Sequence, residues 1–162
     1  MQPITIRPMT TDDSGPIATW MSALPLWMRY GITAEGAQAM FTRALTRDDL
    51  LLVADLPAER NCGFAWGIGG AAFGRSAYLR LIGVRADCAG RGIGAALLTA
   101  VEQWAAAFCG ELFLLVSDFN QDAQRFYRRQ GYQQAGAIPG YVLPDVAELI
   151  FWKRLSFPVV GK

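Results

Sequence analysis

The chain has no histidine among its 162 residues. That absence removes the usual general base near neutral pH, the usual catalytic triad and the commonest zinc ligand. Cysteine is scarce as well. Cys62, Cys88 and Cys109 are odd in number and show no C-x-x-C spacing, so no metal site is expected and the thiols should be reduced. Charged residues make up only 18% and the formal net charge is +1. A nucleic-acid binder usually shows a basic face, so no nucleic-acid partner is expected. The longest weakly polar run, Cys62 to Gly74, is short and broken by glycines, which excludes it as a bilayer span. The opening MQPITIRPMTTDD has no apolar signal core, and the expectation is a cytoplasmic chain with no membrane partner.

What is present in quantity is apolar. Hydrophobic residues reach 52%, enough for a globular core, and the length fits a single domain over residues 1–162. The stretch that organises it is Leu79 to Phe108. Tyr78 to Val84 reads as a buried strand. Ala89-Gly90-Arg91-Gly92-Ile93-Gly94 is a glycine-dense turn, and Ile93, Leu97, Ala100, Val101, Trp104 and Phe108 then recur at helical spacing. Strand, glycine loop and helix N-terminus in that order make a phosphate site. Glycines let the backbone approach, and the first helical N–H groups lack partners where the dipole favours negative charge. With Arg91 adding a positive charge, the pattern points to a pyrophosphate-bearing cofactor.

The other elements follow from periodicity and caps. Ile4 to Arg7 alternates as a half-buried strand, and Thr11 or Asp12 should cap a helix reaching about Ala23. Leu24 to Ile32 reads as a Pro- and Gly-punctuated connection, and Thr33 should cap a second helix bearing Ala37, Met40, Phe41 and Leu45. Leu50 to Ala54, Cys62 to Phe73 and the strand ending at Val84 have short connections and should form an antiparallel meander. Leu112 to Ser117 reads as a strand buried on both faces, parallel to its predecessor because a helix separates them. Asn120 caps a helix with Ala123, Phe126 and Tyr127 inside, Gly131 ends it, and Tyr132 to Ala137 and Val146 to Leu155 close the sheet. The fold class is α+β: a mixed, mostly antiparallel sheet with one central parallel strand pair and helices on both faces.

Val84-Arg85-Ala86-Asp87 followed by Gly90-Arg91-Gly92-Ile93-Gly94-Ala95-Ala96-Leu97-Leu98 resembles the acetyl-CoA motif of the GNAT superfamily of N-acetyltransferases. Anchored on Leu97-Leu98, the motif starts at Ala89, where the family has Gln or Arg. Either Arg91 supplies the lost charge, or it starts a slipped register with Gly94 and Ala96. Asn120 to Tyr132 is similar to the family's Asn…Ala…Phe-Tyr…Gly-Phe signature, and Ile6-Arg7-Pro8-Met9-Thr10 with Asp12 or Asp13 to its opening.

The resemblance implies one N-acetyltransferase domain that moves acetyl from acetyl-CoA to an amine by direct attack, without metal. It assigns cofactor binding to Ile82, Val84, Arg91, Gly92, Ile93, Gly94, Ala95, Asn120 and Tyr127. A backbone N–H of Val84 or Ile82 would polarise the thioester carbonyl, and Gly83 could mark a bulge opening that strand. Tyr127 would be the general acid that protonates the leaving thiolate, a phenol of pKa ~10 serving a thiol of ~8.5. The strand before the loop lacks the carboxylate that helps deprotonate the amine in many members. Water, Glu148 or Asp118 would then have to serve. Acceptor contacts are expected from Trp27, Arg29, Tyr30, Arg80 and Tyr141, whose segments hold few acids, so a small-molecule or peptide amine is favoured over a polycation. A homodimer through the closing strands fits such a family. Two other readings stand beside this one: a non-catalytic acyl-CoA-binding module, and a dinucleotide enzyme reading Gly90 to Ala95 as G-x-G-x-x-A with Asp118 on a ribose.

Overall fold

The structure, a computed structural model, describes residues 2–156. Its strands are β1 (Thr5–Pro8), β2 (Leu50–Leu56), β3 (Glu59–Ala72), β4 (Ser76–Val84), β5 (Glu111–Ser117), β6 (Gln133–Pro139) and β7 (Ala147–Arg154). The helices are α1 (Thr11–Ser22), α2 (Pro25–Arg29), α3 (Ala34–Ala44), α4 (Ile93–Ala106) and α5 (Gln121–Arg129). The strands form one mixed sheet in the order β1-β2-β3-β4-β5-β7-β6, with β4 and β5 as the parallel pair. The chain divides into two compact units, Met1–Ile68 with Leu81–Val101, and Gly69–Arg80 with Glu102–Lys162.

In the first unit, β1 and β2 pair antiparallel with Thr5 opposite Asp55, and β2 and β3 pair with Val53 opposite Phe64. The core gathers on Phe64. Phe41 meets it edge-on at 5.1 Å, Trp20 lies at 5.7 Å and Trp27 at 5.9 Å, with Ile17, Met21 and Val53 fully buried around them. Each such side chain contributes roughly 1.5–3 kcal/mol through burial. The opening of α1 is fixed by charge. Arg7 donates to Asp13 at 2.7 and 2.9 Å and to Asp55 at 2.6 Å, while Asp13 also accepts the Thr10 N–H at 2.8 Å. Thr33 caps α3 by accepting the Gly36 N–H. The connection expected over residues 24–32 contains a helix instead. Pro25 sits in the first turn of α2, where its missing N–H costs nothing.

In the second unit, β4 and β5 run parallel with Tyr78 opposite Phe113, and β7 inserts between β5 and β6. The expectation that β5 is buried on both faces is corrected. Leu112, Leu114 and Val116 are buried, but Glu111, Phe113 and Leu115 between them are only half-buried. Phe113 stacks on Trp152 at 5.9 Å and meets the exposed Phe73 at 5.3 Å. A continuous apolar run therefore arises here because one sheet face is lined by aromatics, not because a layer covers each face. Phe108 falls past the end of α4 and is 50% exposed. Gly131 ends α5 with φ +90°, the left-handed value its position calls for.

Candidate active site

In the first unit the last strand and the last helix meet through the glycine loop. The Arg85 N–H donates to the Cys62 carbonyl at 2.8 Å, a 3₁₀ turn follows at Ala86–Cys88, and Ala89 is extended. Gly90 and Gly92 then take φ +76° and +82°, values at which a Cβ would cost roughly 1–2 kcal/mol. The Ala96 N–H donates to the Gly92 carbonyl at 3.0 Å, opening α4. The amides of Ile93, Gly94 and Ala95 precede that bond, which is where a helix has donors to offer an anion. An open cavity of about 310 Å³ is lined by Gln2, Leu56, Gly90, Arg91 and Gly92. The backbone conformation, the helix start, the room and a cation all fit a pyrophosphate group.

Arg91 is fixed beside this loop by Glu59, its Nη1 donating to Oε1 at 2.7 Å. Ile93 is 1% exposed, so its side chain is core and only its backbone is available to a ligand. Ile82 and Val84 are half-buried at the end of β4. Between them, a Cβ on Gly83 would stand 2.5 Å from the Trp27 indole and 2.9 Å from Phe64. That crowding is a sufficient reason for glycine at 83.

In the second unit β5 delivers the chain to α5. The buried Gln124 donates its amide to the carbonyls of Ser117 at 3.2 Å and Asp118 at 2.9 Å. Asn120 caps α5 by accepting the Ala123 N–H at 3.3 Å. Tyr127 is 6% exposed, with Tyr132 at 5.6 Å and Phe151 at 6.4 Å between ring centres. Burial raises its phenol above the usual range, and Tyr78 adds to the rise. Tyr78 is itself raised, first by burial. Arg80 opposes that shift, while Tyr141 and Glu148 reinforce it. Tyr127 is therefore a neutral O–H donor throughout the neutral range. In the sequence Tyr78 is one strand residue among apolar neighbours. Its shift comes mainly from burial, which the fold creates, with Arg80, Tyr141 and Glu148 as smaller influences.

The expected acceptor residues fare unequally. Trp27 is 6% exposed and packed on Phe64. Arg29 is exposed and Tyr30 half-buried on and beside α2. Arg80 is exposed, and Tyr141 is 60% exposed in the loop between β6 and β7. Asp118 accepts the Ala147 N–H at 3.0 Å, a structural task, whereas Glu148 is a buried carboxylate opposite Ser117.

A mixed sheet whose one parallel pair is joined through a glycine loop and a helix is the fold of an acetyltransferase class. The family model described as "Acetyltransferase (GNAT) family" matches residues 19–132, and the chain belongs to the GNAT acetyltransferases. Comparison with curated protein sequences finds no match. Among solved structures, an N-acetyltransferase from Staphylococcus aureus superposes with TM-score 0.79 at 17% identity, covering 95% of this chain and 99% of that one. A GNAT-family protein from Desulfovibrio desulfuricans gives 0.77 at 16%, covering 95% and 100%. A Salmonella typhimurium protein assigned as an acetyltransferase, solved with acetyl-CoA, gives 0.73 at 14%, covering 98% of each. At these identities the likeness is one of fold.

Proposed function

We propose that the chain is a single acetyl-CoA-dependent N-acetyltransferase domain acting on the amine of a small molecule or peptide. The observation that carries this reading is the loop in which Gly90 and Gly92 adopt positive φ directly before α4. Acetyl-CoA would supply an activated acetyl thioester. The loop amides from Gly92 to Ala95 bind the pyrophosphate, and Arg91, held by Glu59, sets a positive charge next to it. The N–H of Val84 or Ile82 is the donor for the thioester oxygen. Asn120 holds the start of α5, and Tyr127 keeps its proton until the sulfur needs it, because burial disfavours the phenolate.

Water, the buried Glu148 or Asp118 would take the amine's proton. Trp27, Arg29, Tyr30, Arg80 and Tyr141 are the acceptor-facing candidates. The segments that carry Trp27, Arg29 and Tyr30 and that carry Tyr141, residues 24–32 and 138–145, contain a single acid, Asp145. Desolvating a polycation against so few carboxylates is unfavourable. Amino acids, peptide N-termini and aromatic amines therefore rank first. The three buried free thiols fit a cytoplasmic setting.

The test is release of free thiol from acetyl-CoA across a panel of amino acids, peptides, aromatic amines, spermidine and an aminoglycoside. Turnover with a monoamine as best substrate by kcat/KM supports the reading. Binding of CoA with no turnover on any amine supports the non-catalytic module instead, and a polycation as best substrate overturns the acceptor assignment.

A further inference from the structure

The thiols of Cys62 and Cys88 and the carboxylate of Glu59 converge. Their ligand atoms all lie within 4.8 Å of one another. Cys62 and Glu59 are on β3, and Cys88 closes the 3₁₀ turn that leads into the glycine loop. We propose that Glu59, Cys62 and Cys88 form a binding site for a thiophilic divalent cation of the zinc class.

The distances suit such an ion. On a tetrahedral zinc, a sulfur at about 2.3 Å and a carboxylate oxygen at about 2.1 Å stand about 3.6 Å apart. Cys88 Sγ and Glu59 Oε2 already stand 3.5 Å apart, joined by the thiol proton. Glu59 Oε2 also accepts from Arg85 at 3.0 Å, and Oε1 accepts from Arg91 at 2.7 Å. A carboxylate oxygen has two lone pairs, so Oε2 can hold Arg85 and face Cys88 together.

Both sulfurs are fully buried, but the Glu59 side chain is 31% exposed. Entry and a fourth, water ligand can come from that side. Three protein ligands and a water is an accepted zinc arrangement.

The charge balance also favours exchange. Two S–H bonds break, two metal–sulfur bonds form, and two protons leave to solvent. A dication replacing two protons leaves the net charge unchanged, so Arg85 and Arg91 do not oppose it. Each thiol must give up its proton to bind the ion, so uptake is pH-dependent. Two released protons give about a 100-fold rise in apparent affinity per pH unit. In the sequence, the lack of histidine and of C-x-x-C spacing argues against a metal. Here the ligands are assembled by a strand and a turn far apart in the chain.

The experiment titrates the full chain with zinc alone, following heat, proton release and thermal midpoint, and repeats it with cadmium while recording the thiolate-to-metal ultraviolet band. The expected result is about one equivalent bound, about two protons released, a raised midpoint and a band intensity fitting two thiolates. Cys109→Ser should retain all of this, and Cys88→Ser and Glu59→Gln should lose or weaken it. The cadmium band uses the unaltered protein and so decides the matter even if a cysteine variant does not fold. No uptake by the folded wild type, uptake without a thiolate band, or undiminished uptake by folded Cys88→Ser would each overturn the proposal.

Discussion

Replacing Gly83 by alanine adds one methyl group at the most crowded glycine of the first unit. The new Cβ would stand 2.5 and 3.1 Å from two atoms of the Trp27 ring and 2.9 Å from Phe64. An ordinary carbon contact is about 3.5–4.0 Å, so the indole or the strand must retreat by about 1 Å. Neither has slack, because Trp27 is 6% and Phe64 0% exposed and the two rings already pack together. Overpacking of this kind costs about 1–3 kcal/mol, and two aromatic obstacles place Gly83→Ala at about 2–3 kcal/mol. For a chain of this size that lowers the thermal midpoint by about 5–10 °C. The atoms in the way belong to the outer ring of the indole, so Trp27→Phe should relieve the clash. In a double-mutant cycle the pair should then be less destabilising than the two single changes summed, by about 1 kcal/mol or more. Urea unfolding followed by circular dichroism measures all four corners. A Gly83→Ala variant within 0.5 kcal/mol of wild type, or a cycle that is strictly additive, would refute this account of the glycine.

Asp13 is held down to about 2 by Arg7 first, against its own burial, with help from Thr10. Because the folded value is depressed, its contribution of about 2 kcal/mol is complete above the unfolded value near ~3.9 and is lost as pH falls toward about 2. Asp13→Asn should flatten the acid limb of urea midpoints in that window, and an unchanged limb would remove Asp13 as its source. Tyr127→Phe should reduce acetyl transfer by about 10²-fold or more while CoA still binds; wild-type turnover under chemistry-limited conditions would leave Tyr127 a packing residue. Gly94→Glu puts a carboxylate in the first turn of α4 and should abolish CoA binding by calorimetry in a chain that still melts cooperatively. Unchanged affinity in the folded variant would move the phosphate site elsewhere.

Much of this was legible because local chemistry and tertiary structure agree. Thr33, Asn120 and Gly131 announce helix ends by side chain or by the missing Cβ, and each does that job in the structure. The parallel pairing of β4 and β5 followed from the helix between them. The errors came where composition was uninformative about environment. Residues 24–32 looked irregular because Pro25 and Gly31 bracket them, yet proline is well suited to a first helical turn and α2 starts there. The run Leu112 to Ser117 could not say that Phe113 and Leu115 face an aromatic patch and not a second layer. At the candidate site, the glycine loop and Tyr127 were visible as motif positions. Tyr78 and the Glu59, Cys62 and Cys88 cluster were not, since they depend on contacts between segments that no local period encodes.

Gln124 gives α5 a fixed angular setting. In the sequence it is one polar residue among several, flanked by Asp122, Arg125 and Arg128. In the fold its two amide hydrogens clasp two successive carbonyls at the end of β5. Asn120, Gln124 and Tyr127 stand at i, i+4 and i+7, so the cap, the clasp and the phenol share one stripe. A roll of the helix by a single residue is about 100°, and it would break both amide bonds before carrying the phenol out of its aromatic surroundings. The bearing of the Tyr127 hydroxyl is thus keyed by a neutral side chain one turn earlier. An acid of the same shape at that position would present lone pairs to lone pairs, and the key would no longer fit its lock.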